Sequence, residues 1–342
     1  MTNLPEDPLR ESPLAPGNEA ATTGPAPAFH IAEQPNGADA PFAEAASALT
    51  ASASVAPEQP LFSAYAQPPA RRPVRIPHFG HLLLLSLLIA IAVGILALTV
   101  ALAAYFHPFG WKFSVDAAAT DIRFNLLSEA LLYFVTFGLS LVVFPMIWNE
   151  GYFAGLQWRG RVAGSKFGPL AGIASACFGL AILDQVLLPG PANAPIDQMI
   201  SSPGAAWLMF AFGVTVAPFF EEMLFRGFLL PALSTACDWI AETIKAAPPR
   251  PLDENGHPQW SLAAMIVGSV LTSIPFALLH VAQQGHSLGP FLLLIVISLI
   301  LCAVRLKTKS LAASTLVHAS YNFLIFSIEL IATGGFRHFD KM

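Results

Sequence analysis

Beyond residue 76 the chain alternates long apolar runs with short polar breaks. Seven runs stand out, at about 80–106, 124–148, 167–188, 204–235, 261–283, 288–304 and 310–333. A hydrocarbon core about 30 Å thick takes about 20 helical residues to cross, so each run is of spanning length. In lipid only helices and closed barrels satisfy their own backbone, and runs that are continuously apolar rather than alternating select helices. The pattern predicts an all-α fold: a polytopic transmembrane bundle of about seven spans.

Residues 1–76 carry no such period. They are rich in Pro, Ala, Ser and Gly and hold about half of the chain's 29 prolines. Such a segment cannot bury enough apolar surface to offset the entropy of ordering, so it reads as a disordered tail. It lacks the basic start, apolar run and cleavage site of a secretory signal.

Composition agrees with the spans: 55% of the 342 residues are hydrophobic, 11% are charged, and the mean hydropathy is +0.60. The net charge of -5 forms no basic stripe, so nucleic acid is not an expected partner. Membrane lipid is. Cys177, Cys237 and Cys302 stand far apart in apolar surroundings, without a CxxC pair, and read as small packing residues.

Basic residues set an orientation. Arg71, Arg72 and Arg75 precede the first span, Arg159, Arg161 and Lys166 follow the second, Lys245 and Arg250 the fourth, and Arg305, Lys307 and Lys309 the sixth. With seven spans all fall on one side, which the positive-inside rule makes cytoplasmic, together with the N-terminus. The loop before span four carries Asp184 and Asp197 and no Lys or Arg; Lys112, Arg123, Arg337 and Lys341 fall on the outer side and weigh against this orientation. A multi-pass protein of the cell membrane is expected.

Against this background "FFEEMLFRGFLL", Phe219 to Leu230, is costly. An ionisable group at the centre of a membrane helix costs about 2.5–3.5 kcal/mol on insertion scales, so it is expected to face a bundle interior or a wet cavity, and to be paired. Glu222 and Arg226, four residues apart, share a helix face, while Glu221 lies about 100° round it. One carboxylate is thus neutralised by the arginine and the other left available. Of the nine histidines only His280 and His318 lie well inside apolar spans, and those spans are distinct from the glutamate span. His280 closes "FALLH", which begins at Phe276; His318 opens "HASYN", which ends at Asn322, so each motif sets its first and last residues on one face.

A carboxylate facing an imidazole in a pocket of low dielectric can hold a water and take its proton, since desolvation moves a carboxyl towards the range a general base needs. A second imidazole and a carboxamide can donate to the oxygen that gains charge when a carbonyl is attacked. The sum is amide hydrolysis without a covalent intermediate. No GxSxG is present, and Ser320 faces away from His318 and Asn322, so a serine nucleophile is unsupported. The same Glu221, His280 and His318 are also a donor set for catalytic zinc, although the HExxH spacing is absent. The glutamate-activated water requires no cofactor; the zinc reading stands beside it.

These motifs resemble a known family. "EEMLFR", Glu221 to Arg226, "FALLH" and "HASYN" match in order the EExxxR, FxxxH and HxxxN signatures of the CAAX protease and bacteriocin-processing (CPBP, or Abi) family, across residues 167 to 333. The resemblance implies an all-helical intramembrane endopeptidase. Glu221 and His280 would activate water, His318 and Asn322 would stabilise the oxyanion, and Glu222, Arg226 and Phe276 would support them. Many bacterial members are labelled metalloproteases. It also implies a peptide or protein substrate, lipidated or membrane-embedded, and three parts: the tail at 1–76, accessory spans at 77–160 and a catalytic core at 161–335. The competing reading is a non-catalytic binding or immunity protein, or a proton-coupled transporter, built on the same polar cluster.

Residue counting raises one obstacle. His318 lies about eight residues from the cytoplasmic end of its span and His280 near the outer end of its own, a mismatch of roughly 15 Å at about 1.5 Å per residue. Glu129 and Asp184 show no partner in sequence and read as packing or interface groups; Glu329 lies on the face of His318 but three turns away. "GSKFGPLAG", from Gly164, offers small residues at four-residue spacing for close helix contact.

Overall fold

Continuous apolar sequence becomes continuous helix in the computed structural model, which describes residues 77–107, 114, 121–191, 195, 202–245, 250–251 and 259–337. The expected tail at 1–76 lies outside the described residues, as do Lys112, Asp197, His257, His338 and Lys341. Among the described residues there is no strand. Among the described residues seven helices are long and apolar enough to cross a membrane: Phe79–Phe106, Ile122–Trp148, Phe167–Leu187, Pro203–Ile244, Leu262–His280, Leu288–Thr308 and Leu311–Ala332. The protein is a multi-pass membrane protein.

Boundaries follow local chemistry. The side chains of Asp121, Ser261 and Ser310 each accept a hydrogen bond from an early backbone N–H and so start the second, fifth and seventh spans. His107, Asn149 and Lys309 adopt the left-handed conformation that ends the first, second and sixth. The fifth span stops at His280 rather than near 283, because a turn takes over from Val281. His280 is therefore a terminal residue of its helix.

The first three spans have only 17% of their most apolar window buried, against 50% in the fourth and 44% in the seventh. Spans four to seven thus form the interior, and polar groups on them can avoid lipid. The fifth span packs on the sixth and on the C-terminal half of the fourth, the seventh on the third, and the first on the second. One apolar core joins spans three, six and seven through Leu170, Ile297, Leu301 and Val317; another joins one, two and four through Leu85, Phe144 and Phe228.

Between spans two and three the chain forms two short helices, Tyr152–Gly155 and Gly160–Ser165. Arg305 holds this connector to the junction of spans six and seven, donating to Gln157 Oε1 at 2.9 Å and to the Leu156 carbonyl at 3.3 Å. Arg305 is buried, so it is a structural clamp and not the solvated flanking charge its sequence position suggests. The small residues of "GSKFGPLAG" make no close contact either: a Cβ placed on Gly164, Gly168 or Gly172 would meet nothing within 4 Å. Tight approaches lie elsewhere, among them Gly268 against Ser234, Gly289 against Leu188, Gly155 against Trp148 and Gly213 against Phe326.

Candidate active site

The fourth span is not a uniform helix. Two π-helical stretches, Phe212–Val216 and Met223–Leu229, flank the α-helical turns Ala217–Glu222. Proline explains the first. In the π register the Ala217 N–H goes back to the Phe212 carbonyl, and Pro218, whose turn comes next, has no N–H for the Gly213 carbonyl. That orphaned oxygen is claimed from another helix, where Asn322 Nδ2 donates to it at 2.7 Å. Gly213 is required because a Cβ there would lie 2.7 Å from the Phe326 ring. The irregularity thus holds the seventh span, through Asn322, close against the fourth.

One turn further, Glu222 and Arg226 are both wholly buried, and the guanidinium donates to Glu222 Oε1 at 2.8 Å. Its other nitrogen donates to the Ser298 carbonyl at 3.0 Å and the Ser298 hydroxyl at 2.7 Å, anchoring the sixth span. The guanidinium carbon also lies 4.6 Å from the centroid of the Phe276 ring. Phe276 meets His318 edge-on at 5.8 Å and lies 5.1 Å from the His280 ring, so one aromatic side chain braces both imidazoles.

Each imidazole is aimed by its Nδ1. In His280, Nδ1 lies 2.9 Å from the Phe276 carbonyl, which can only accept, so Nδ1 carries the proton. In His318, Nδ1 lies 3.1 Å from Glu222 Oε1, an oxygen already paired with arginine, and donates to it. Both rings therefore turn Nε2 towards Glu221, whose Oε2 lies 3.9 Å from His280 Nε2 and 3.8 Å from His318 Nε2. That oxygen is buried and has no hydrogen-bond partner. The Glu221 oxygen and the two Nε2 atoms, from three helices, converge at separations too long for direct hydrogen bonds.

Glu221, His280, His318 and Asn322 line one cavity of about 470 Å³. The roughly 15 Å depth mismatch between the histidines is absent. Residue counting measures depth only where helices end on a common plane and run parallel; two Nε2 atoms each within 3.9 Å of the same Glu221 oxygen show that these do not. The carboxylate left available is Glu221 and the neutralised one is Glu222.

Glutamate with two histidines, each with its Nδ1–H anchored, is a donor set suited in kind to zinc. The arrangement is looser than the ion needs, since ligands about 2.1 Å from a tetrahedral metal stand about 3.4 Å apart. Among the described residues no group of three or more His, Cys, Asp or Glu is placed to hold a metal ion.

Sequence reasoning missed Glu129 on the second span. It is not a partnerless packing group: Tyr133 donates to its Oε1 at 2.8 Å, and it lines the same cavity, as do Asp184 and Glu329. The available signal was the four-residue spacing of Glu129 and Tyr133 within an apolar run. Ser298 and Gly213 gave no signal, because their partners lie 72 and 109 residues away.

No curated protein and no solved structure matches the chain. A family model does, and it encloses every residue of the glutamate, histidine and asparagine cluster while leaving out the first three spans. Its description is type II CAAX prenyl endopeptidase, Rce1-like, and the matched residues, 203–324, carry the fourth to sixth spans and the seventh past His318 and Asn322. Residues 203–324 therefore match a domain of the CAAX protease family, set among seven described helices long and apolar enough to cross a membrane.

Proposed function

We propose that the protein is an intramembrane endopeptidase in which Glu221 activates water for attack on a peptide bond. The observation that carries the reading is the unpartnered Glu221 Oε2, facing the Nε2 atoms of both His280 and His318. A water about 2.8 Å from the carboxylate and from the His280 Nε2 lone pair fits between groups set 3.9 Å apart. Its oxygen attacks the carbonyl carbon while Glu221 takes its proton. His318, held by Glu222 through Nδ1, turns Nε2 to the oxyanion as a hydrogen-bond donor, and the second N–H of Asn322 Nδ2 adds another. The C–N bond then breaks and the leaving amine takes the proton held by Glu221.

The family description points to prenylated CAAX peptides as the substrate class, and the exposed apolar helix faces suit the lipid setting in which such a peptide sits. Spans one and two act as accessory helices ahead of a core at 161–335, and the N-terminus faces the cytoplasm. A non-catalytic protein or transporter gains no support from the family match.

The test is turnover of a prenylated CAAX peptide by purified protein in detergent micelles. Glu221→Gln and His280→Ala each lower kcat by about 100-fold or more while the thermal unfolding midpoint holds, since general-base catalysis contributes about 10²–10⁴-fold. Turnover retained in both variants sinks the proposal. Metal content of the active fraction separates the two forms of the chemistry: zinc bound one to one, and lost with activity in the His318→Ala protein, makes Glu221, His280 and His318 ligands.

A further inference from the structure

Away from the glutamate and histidine cluster, we propose that the connector between spans two and three, together with the junction of spans six and seven, is a docking surface for the headgroups of anionic phospholipids. Arg159, Arg161 and Lys166 lie on the connector, Lys307 and Lys309 on the junction, and all five are exposed. The two groups are far apart in sequence, and tertiary bonds bring them to one end of the bundle. Besides the Arg305 clamp, the Leu311 N–H donates to the Gln157 carbonyl at 3.0 Å, and the Ser310 hydroxyl donates to the Arg159 carbonyl at 3.0 Å.

The charge gathered there is unbalanced. Among the described residues no ion pair engages any of the five, whereas Arg123 is paired with Asp121, and Arg250 with Asp238 and Glu242. Glu150 is the only carboxylate on the connector, residues 149–166. Depth names the partner. Lys166 directly precedes the third span, Lys307 belongs to the last turn of the sixth, and Lys309 stands between the sixth and the seventh. Cations at span ends sit where hydrocarbon gives way to headgroups. Phe153 on the connector and Phe167 at the start of the third span are both exposed, and give the same surface apolar anchors. An acidic soluble protein would use the charge and leave the phenylalanines unmatched; an anionic lipid uses both. Each juxtamembrane cation near an anionic headgroup strengthens binding about fivefold.

The experiment is native mass spectrometry of the full chain in neutral detergent micelles, with equimolar dioctanoyl phosphatidylglycerol and dioctanoyl phosphatidylcholine. It reads the ratio of bound anionic to bound zwitterionic lipid. The expected ratio is about 25, two cation contacts at about fivefold each. Combining Arg159→Gln, Arg161→Gln and Lys307→Gln brings it to within about twofold of one, while Arg159→Lys with Arg161→Lys, which keeps the charge, keeps the ratio above about ten. Neutralising the opposite end, Arg123→Gln with Arg337→Gln, leaves it unchanged. A ratio near one in the wild type overturns the inference, whether or not any variant folds. So does a ratio that survives the triple neutralisation, or one that falls equally on neutralising the opposite end. Displacement of phosphatidylglycerol by inorganic phosphate at equal concentration also overturns it, because the surface would then take a free anion and not a lipid. The readout is binding alone, so the peptidase reading stands or falls separately.

Discussion

Replacing Arg226 by alanine tests the network beneath the site more directly than any change at the reacting groups. Its side chain is wholly buried, donates to Glu222 and twice to Ser298, and lies over Phe276. Removing one partner of a buried ion pair costs about 3–5 kcal/mol, because the other is left as an uncompensated charge. Lost contact with the aromatic face adds up to about 2 kcal/mol. Glu222 would take up a proton rather than stay charged, and its Oε1 would then be a weaker acceptor for His318 Nδ1–H, so the imidazole loses its aim. Against a typical total of about 5–15 kcal/mol the protein still folds, with its midpoint lowered by on the order of 10 °C. Thermal unfolding followed by tryptophan fluorescence in micelles reads this. Arg226→Met combined with Glu222→Gln should be more stable than the sum of the two single changes, because the stranded charge has gone. If Arg226→Ala costs under about 1 kcal/mol, or the double variant is simply additive, the two groups are not a coupled buried pair and the reasoning fails.

Other consequences are independent of that network. Pro218→Ala returns an N–H to the fourth span, which can then bond the Gly213 carbonyl in place of Asn322; turnover should fall about tenfold or more with little change in midpoint, as donors aimed at developing charge are worth that much. Gly213→Ala forces the Phe326 ring aside and should cost about 1–3 kcal/mol, with part of the loss recovered by adding Phe326→Leu, as thermal unfolding would show. Asp238 accepts from the backbone and the hydroxyl of Ser261 and pairs with Arg250 at 3.0 Å, so Asp238→Ala should loosen the start of the fifth span. The expected cost is about 1–2 kcal/mol, and limited proteolysis should cut faster near residue 260.

Seven spans, their helical type and the membrane setting were all written in the sequence, because long apolar runs leave the backbone no other way to satisfy itself in lipid. Two within-helix spacings were legible for the same local reason: four residues bring Glu222 to Arg226 and Phe276 to His280. What the sequence could not supply was distance between helices. Counting residues placed His280 and His318 at different depths, yet both Nε2 atoms lie within 3.9 Å of Glu221 Oε2. The π-helical segment that brings Asn322 onto Gly213, the choice of Ser298 as the second anchor of Arg226, and the entry of Glu129 from the second span into the cavity are likewise decided by tertiary packing. Apolar periodicity states which face of a helix is buried; only the packed bundle decides which neighbour's polar group waits there, since helices cross, tilt and shift against each other without altering any local pattern.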